Sequence, residues 1–283
     1  SVILIENAAV LGGNATSGGV GAFCGETRGQ GIIFDEVITA LEKYQAIVPY
    51  KPYEEMEARV FNHEILAVVL QELAISYNIK LLLHSKFVDC TVENNRIKEV
   101  LLCGASGLEA VKGKYFIDCT GQASLVHSAG FETMKGNNKN QQLPMSLMFF
   151  VRHLKEKDIV PEIPNDIEQI KTADDLPMTS IWPNGPHSNA LKVKVAGYDS
   201  TDTESLSNAE IYARRKMLAV LKFYLEHEDK KWMLDHCSPI IGIREGRRAV
   251  GEYVLNVEDL RNGCKFDDAI ARGVFYLDGH DPN

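Results

Sequence analysis

Ser1-Val-Ile-Leu-Ile-Glu6, followed by Leu11-Gly-Gly-Asn-Ala-Thr16-Ser-Gly-Gly-Val20, is the stretch that decides how this 283-residue chain is read. The continuous apolar run predicts a strand covered on both faces. It ends on an acid and opens into a glycine-dense loop over residues 7–31. In dinucleotide-binding folds, an Asp or Glu closing the second strand accepts ribose hydroxyls, about 20 residues after a G-x-G-x-x-G turn. No such turn precedes Glu6. The internal near-match, Gly19-Val-Gly21-Ala-Phe-Cys24, has Cys at the third glycine position and does not lead directly into a helix. A first strand and its glycine motif are therefore expected ahead of Ser1. The turn-rich Gly279-His-Asp-Pro-Asn283 promises further chain in the same way, so the sequence reads as a fragment truncated at both ends.

Outward from this stretch, apolar spacing predicts a helix over 32–46, a second over 60–76 ending near Asn78, and a strand over 79–83. Strand, helix and strand in succession suggest a parallel βαβ unit. Strands over 87–92 and 97–103 flank Glu93-Asn-Asn-Arg96, where the two asparagines suit a hairpin turn. A third strand near 107–111 extends this small antiparallel sheet, and an apolar strand over 114–118 is expected to rejoin the main sheet. Polar insertions, five prolines and a long amphipathic helix over 207–228 give the middle of the chain a different texture. Beyond it, short helices are expected at 257–261, capped by Asn256, and at 267–271.

Composition narrows the function. The chain is 45% hydrophobic and carries 39 acidic against 30 basic residues, a formal charge of -9. With no basic run, a nucleic-acid or anionic-membrane surface is disfavoured. No apolar stretch approaches the roughly 20 residues of a membrane span. Six widely spaced cysteines show no metal or redox pairing, which points to free thiols and a cytoplasmic setting, and the eight histidines include no metal-ligand spacing. Small residues between 11 and 20 let the backbone lie flush against a flat or phosphorylated ligand, and Thr16 and Ser17 add hydroxyl donors.

Three segments in order carry a family likeness: V-I-L-I-E-x(4)-L-G-G-x-x-T-x-G-G-V at the start, Tyr115-Phe-Ile-Asp-Cys-Thr-Gly-Gln-Ala-Ser124, and Gly242-Ile-Arg-Glu-Gly-Arg-Arg248. The tail from Gly263 through Pro282 agrees with them. Together they resemble FAD-dependent oxidoreductases of the fumarate-reductase-like group within the glutathione-reductase-type flavoproteins. The resemblance implies an α/β fold with a Rossmann-like FAD-binding domain, lacking its first strand and GxGxxG, plus a small antiparallel sheet and an inserted α+β substrate domain. The corresponding boundaries are 1–138 and 239–283 for the FAD-binding domain and 139–238 for the insertion. It further implies that Glu6 binds the adenosine ribose and that Gly12, Gly13, Thr16, Gly18 and Gly19 pass beside the pyrophosphate and isoalloxazine. Thr120 and Gly121 would line the cofactor near its phosphates, and the backbone at Phe87 and Val88 would meet the adenine. Gln122 and Gly246 depart from the family pattern, which has Asp and Ser there.

The expected chemistry is hydride transfer between a small organic substrate and flavin N5. Arg244 and Arg248 are candidates for holding a carboxylate substrate or stabilising reduced flavin, because guanidinium forks suit both. In an extended segment, Arg244 and Arg248 would share a face, with Glu245 and Arg247 on the other. His187 and His280, in loops, are the acid/base candidates. Asp118, before Thr-Gly, is expected to cap its own turn, and Cys24 to be a small buried residue. Two alternatives stay open: an NAD(P)-dependent dehydrogenase using the same ribose carboxylate, and a non-catalytic, flavoprotein-like binding module.

Overall fold

The computed structural model describes residues 1–50, 58–184, 187–227, 232–271, 273, 275 and 276. It is a mixed α/β chain that divides into two compact units. The first comprises Ser1–Gly12, Gly21–Lys135 and the described residues from Arg247 to Tyr276; the second comprises Gly13–Val20 and Gly136–Gly246.

In the first unit, β1 (Ile3–Ile5) leads through β2 (Ala22–Cys24), α1 (Ile32–Lys43), β3 (Ala58–Val60) and α2 (His63–Ser76) to β4 (Lys80–Leu82). β1 and β4 pair in parallel, Leu4 opposite Leu81. The Asn62 side chain starts α2 by accepting the Glu64 and Ile65 amides at 3.0 and 3.1 Å, donors that a helix cannot satisfy from within. The helix stops at Tyr77, after which Asn78 takes a left-handed φ of 55°. Leu41 of α1 and Leu66 and Val69 of α2 are buried.

β5 (Lys86–Glu93), β6 (Arg96–Gly104) and β7 (Gly107–Lys112) form the antiparallel sheet. Asn94 and Asn95 both turn with positive φ, as a two-residue hairpin requires. Val100 and Leu102 bury against Ile5, Leu82 and Leu125, the last from α3 (Ser124–Ser128). A short strand, β8 (Thr133–Met134), closes this part.

The second unit is built on a four-stranded antiparallel sheet of β9 (Met145–His153), β10 (Met178–Pro183), β11 (Ser188–Val195) and, after the 25-residue α4 (Thr203–His227), β12 (Trp232–Cys237). The spatial order is β10-β11-β9-β12. Alternation sorts the two faces. Met145, Leu147, Phe149 and Val151 pack with Leu191, Val193 and Val195 against the α4 residues Ala209, Ala213, Val220 and Phe223. Met148, Phe150 and Ala190 point the other way and meet Val20 and Trp182. Back in the first unit, the return segment adds β13 (Arg248–Ala249), paired with β8, and α5 (Val257–Asn262). Asn256 and Asp259 make a capping box, and Gly263 ends the helix in the left-handed region.

Four expectations are corrected. β1 is covered only in part, with Ile3 exposed, because among the described residues it has one strand partner, β4. Residues 114–118 form no strand; Tyr115 and Ile117 lie exposed, and an apolar segment without a ladder partner cannot satisfy its backbone as a strand. Residues 267–271 form a turn and extended chain in place of a helix, with Ile270 fully exposed and no apolar face to hold a short helix together. Cys24 is exposed at the end of β2, not buried.

Candidate functional site

In the first unit, Glu6 closes β1. Its amide donates to Leu82 O and its carbonyl accepts from Ser85 N, both at 2.9 Å. Carboxylate Oε1 accepts the Ala8 amide at 2.7 Å, turning the chain into the loop. Oε2 accepts no hydrogen bond among the described residues, so the acid keeps acceptor capacity at the carboxyl end of a parallel strand. Gly12, next along the loop, has φ 110°, which a side chain would strain. Val88 is the extra residue where the β5–β6 register shifts between Phe87 and Asp89. A bulge of this kind lifts one residue's backbone out of the ladder.

Asp118 caps the following turn, as its sequence context implies. Oδ1 accepts from the Thr120 amide (2.9 Å) and hydroxyl (2.7 Å), and Oδ2 from the Val126 amide (3.1 Å). Burial works to raise the Asp118 pKa, but the donors from Thr120, Val126 and Leu125 outweigh it and hold the carboxyl below its usual range. The Thr120 hydroxyl then accepts the Ser124 amide at 2.9 Å. Gly121 turns with φ 76° and has open space where a Cβ would stand. The turn is thus rigid at Asp118–Thr120 and clear at Gly121. Arg248 lies exposed on β13, opposite Met134.

In the second unit, residues 13–20 fold into a tight knot around one 3-10 turn, Gly13–Ala15. Thr16 and Gly18 amides donate to Gly13 O, Gly19 N to Thr16 O and Val20 N to Asn14 O, and the Asn14 side chain ties the knot to Ile243 O at 2.9 Å. Packing accounts for two of its glycines. A Cβ on Gly18 would lie 2.8 Å from Asn14 Cα. One on Gly19, φ 72°, would lie 2.1 Å from Ser238 Oγ and 3.1 Å from Met148 Cβ. Thr16 and Ser17 are buried and Gly13 is exposed.

Arg244 occupies an exposed bend and makes no ion pair among the described residues. Glu245 is an acceptor for neighbouring chain: Oε1 accepts the Gly136 amide (3.0 Å), Oε2 the Leu143 amide (2.8 Å), and its carbonyl the Ser200 hydroxyl (2.8 Å). Ser200 is joined in turn through its amide to Gln142 Oε1, and Gln142 Nε2 to Asp199. The carboxylate anchors the segment that carries Arg244.

His187 stands exposed on the β10–β11 turn with φ 63°, its ring 5.1 Å from that of His153. His280 lies outside the described residues. Sequence reasoning passed over a cluster on the sheet face opposite α4: Arg152 on β9, with Asp235 and His236 on β12. Its one signal in the sequence is an acid and a histidine interrupting the otherwise apolar Trp232–Cys237. Among the described residues no group of His, Cys, Asp and Glu could hold a metal ion, and no helix is long and apolar enough to cross a membrane.

The family model described as FAD dependent oxidoreductase matches residues 1–283. No curated protein matches. Among solved structures, AlpK superposes with a TM-score of 0.48 at 11% identity, over 90% of this chain and 50% of that one. CabE, an aromatic hydroxylase from angucycline biosynthesis, gives 0.47 at 15% identity, over 90% and 54%. The myxobacterial chondrochloren halogenase CndH, a variant of FAD-dependent halogenases, gives 0.46 at 11% identity, over 89% and 56%. The chain spans about half the length of each of these structures.

Proposed function

The chain belongs to the FAD-dependent oxidoreductase family, and we propose that it is the part of such an enzyme in which Glu6 holds the adenosine ribose and a small organic substrate exchanges a hydride with flavin N5. The observation that carries this reading is Glu6 itself. An acid at the carboxyl end of a parallel strand, with one oxygen fixed by Ala8 N and the other available, fits a ribose, whose hydroxyls are donors seeking an acceptor.

Within the same unit, Gly121 leaves clear space beside a turn that Asp118 and Thr120 hold still, which suits close approach of a phosphate. Val88, displaced from its ladder, offers main-chain groups to the adenine. Within the second unit, exposed Gly13 keeps its part of the loop free of a side chain so that backbone can meet a flat ring, while Gly19 seats the loop against Met148 and Ser238. Gly12, Thr16 and Gly18 set the loop's turns: Gly12 by its φ, the other two by hydrogen bonds and packing. Bound FAD would supply the two-electron chemistry, and the protein would supply binding, orientation and charge. Arg244 and Arg248, both exposed, are the groups to pair with an anionic substrate or with charge on reduced flavin. His187, on an exposed turn, and His280 remain candidate proton carriers.

The test is the visible spectrum of the protein purified from its complete reading frame, followed by heat release and identification of any flavin. A yellow protein releasing FAD supports the reading; a folded, colourless protein that takes up no added FAD removes it. Unchanged flavin-reduction kinetics in both Arg244→Ala and Arg248→Ala would remove the two arginines from the chemistry.

A further inference from the structure

The two faces of the β10-β11-β9-β12 sheet differ in kind. The face under α4 is apolar throughout its core. On the other face, β11 carries Lys192 and Lys194 between its core-facing residues, β9 carries Arg152, and β12 carries His236. In a regular strand, Asp235 and His236 would point to opposite faces. The register shift between Leu234 and His236 removes that constraint, and His236 Nδ1 lies 3.0 Å from Asp235 Oδ2. The other carboxylate oxygen lies 3.4 Å from Arg152 Nε, while the Arg152 fork is held by Asp158 at 2.6 and 2.8 Å. Asp158 is thereby pulled down to about 2, first by its hydrogen bonds from Arg152. The imidazole lies flat on Phe150, centroids 4.2 Å apart and planes 12° apart.

This is a held histidine. A carboxylate has no proton to give, so Nδ1 donates to Asp235 and Nε2 is the acceptor nitrogen of the neutral ring. A base within hydrogen-bond reach of an orienting acid, itself fixed by a third group, is the arrangement used to move protons in catalysis. Its surroundings tie it to the glycine loop: Phe150, beneath the imidazole, also comes within 3.3 Å of the Cβ position at Gly19, and Ser238 Oγ touches the same point. The Ser238 hydroxyl is buried and finds no hydrogen-bond partner among the described residues, as expected of a polar group that awaits a ligand.

We propose that His236 is the proton carrier of this site and Asp235 its positioning residue: the ring takes the O–H or N–H proton of an alcohol or amine substrate while the adjoining carbon gives up its hydride to the flavin. The substrate loses one proton and one hydride and becomes a carbonyl or imine. The proposal rests on the FAD reading. The ionisable groups beside the ring are Asp235 on its own strand and Arg152 with Asp158 from β9 and the residues after it; Lys192 and Lys194 stand on the same face two strands away, on β11. The loop 13–20 has none. From α4, Arg214 and Glu210 engage the main chain of 238–241.

The experiment is ring-nitrogen NMR on the histidine-labelled full-length holoprotein, with His236→Gln providing the assignment and the visible spectrum of each sample reporting its flavin. The expected result is the Nδ1–H tautomer for His236, mixing of tautomers in Asp235→Asn, and a change in the His236 ring-nitrogen chemical shifts when dithionite reduces the flavin, with those of His187 unmoved. An Nε2–H tautomer, or an unaltered tautomer in Asp235→Asn, overturns the positioning role. Ring-nitrogen shifts indifferent to flavin reduction overturn the proton-carrier role. A colourless protein removes the FAD reading, and the proton-carrier role falls with it, whereas the tautomer and its mixing in Asp235→Asn still read the dyad by itself.

Discussion

Gly19→Ala is the sharpest perturbation that the structure offers, because two separable penalties meet at one methyl group. The first is conformational: φ is 72°, and an L-residue there costs roughly 1–2 kcal/mol. The second is steric. The new Cβ would stand 2.1 Å from Ser238 Oγ, 3.1 Å from Met148 Cβ and 3.3 Å from the Phe150 ring. The serine oxygen can swing away about χ1, but Met148 Cβ belongs to the middle of β9, where the backbone is fixed by ladders on both sides, so part of the clash remains. Overpacking of this kind costs typically 1–3 kcal/mol. The sum is about 2–5 kcal/mol, a large share of the roughly 5–15 kcal/mol that holds a domain folded. Ser238→Ala removes the closest atom and discards a buried hydroxyl without a partner, so by itself it should be neutral or mildly stabilising. Combined with Gly19→Ala it should recover about 1 kcal/mol and leave the conformational penalty in place. Urea denaturation of the wild type, both single variants and the double variant measures the coupling directly. A Gly19→Ala cost below about 0.5 kcal/mol, or strict additivity of the two changes, would show that the loop does not rest on the sheet as described.

Glu245→Ala strips two backbone amides, Gly136 and Leu143, of their charged acceptor; hydrogen bonds of that type contribute about 1.5–3 kcal/mol each, so thermal unfolding should move down by several degrees while Arg244→Ala leaves it unchanged. Glu6→Gln should weaken FAD binding about tenfold, read by flavin fluorescence on titration into the apoprotein, because one acceptor for ribose hydroxyls becomes an amide at a cost of about 1.4 kcal/mol; unaltered affinity would count against the ribose role. Acid should destabilise both units. Asp118, Asp158 and Glu26 all have carboxyls depressed in the folded chain, Asp158 and Glu26 to about 2. Their stabilisation is complete above the ordinary carboxylate range and is lost as pH falls from about 4.5 toward 2. Asp158→Asn should flatten part of that acid limb in a plot of urea midpoint against pH, and an unchanged limb would show that the Arg152 pair contributes nothing there.

What the sequence reveals and what it hides divide along a physical line. Features fixed within a few residues were legible: Asn94 and Asn95 name their own turn, Asn256 starts a helix, and Asp118 caps Thr120. Residues 114–118 and 267–271 carry apolar patterns too, yet a pattern becomes a strand or helix only when another element covers it, and that is decided elsewhere in the chain. The site divides in the same way. The place of Glu6 could be read because closing a strand ahead of a loop is a local feature. The glycines at 18 and 19 were read as making room for a ligand, whereas the room they make is taken up by Asn14, Met148 and Ser238, the latter two remote in sequence. His236 was hidden for a further reason. Adjacent residues on a strand are expected on opposite faces, so Asp235-His236 carries no promise of a dyad until a register shift, which leaves no signature in residue type, turns the two side chains together. The same shift links the chemistry to the scaffold: it is the irregularity of β12 that brings an acid to its histidine while the regular part of the sheet holds Phe150 beneath the ring and Met148 beneath Gly19.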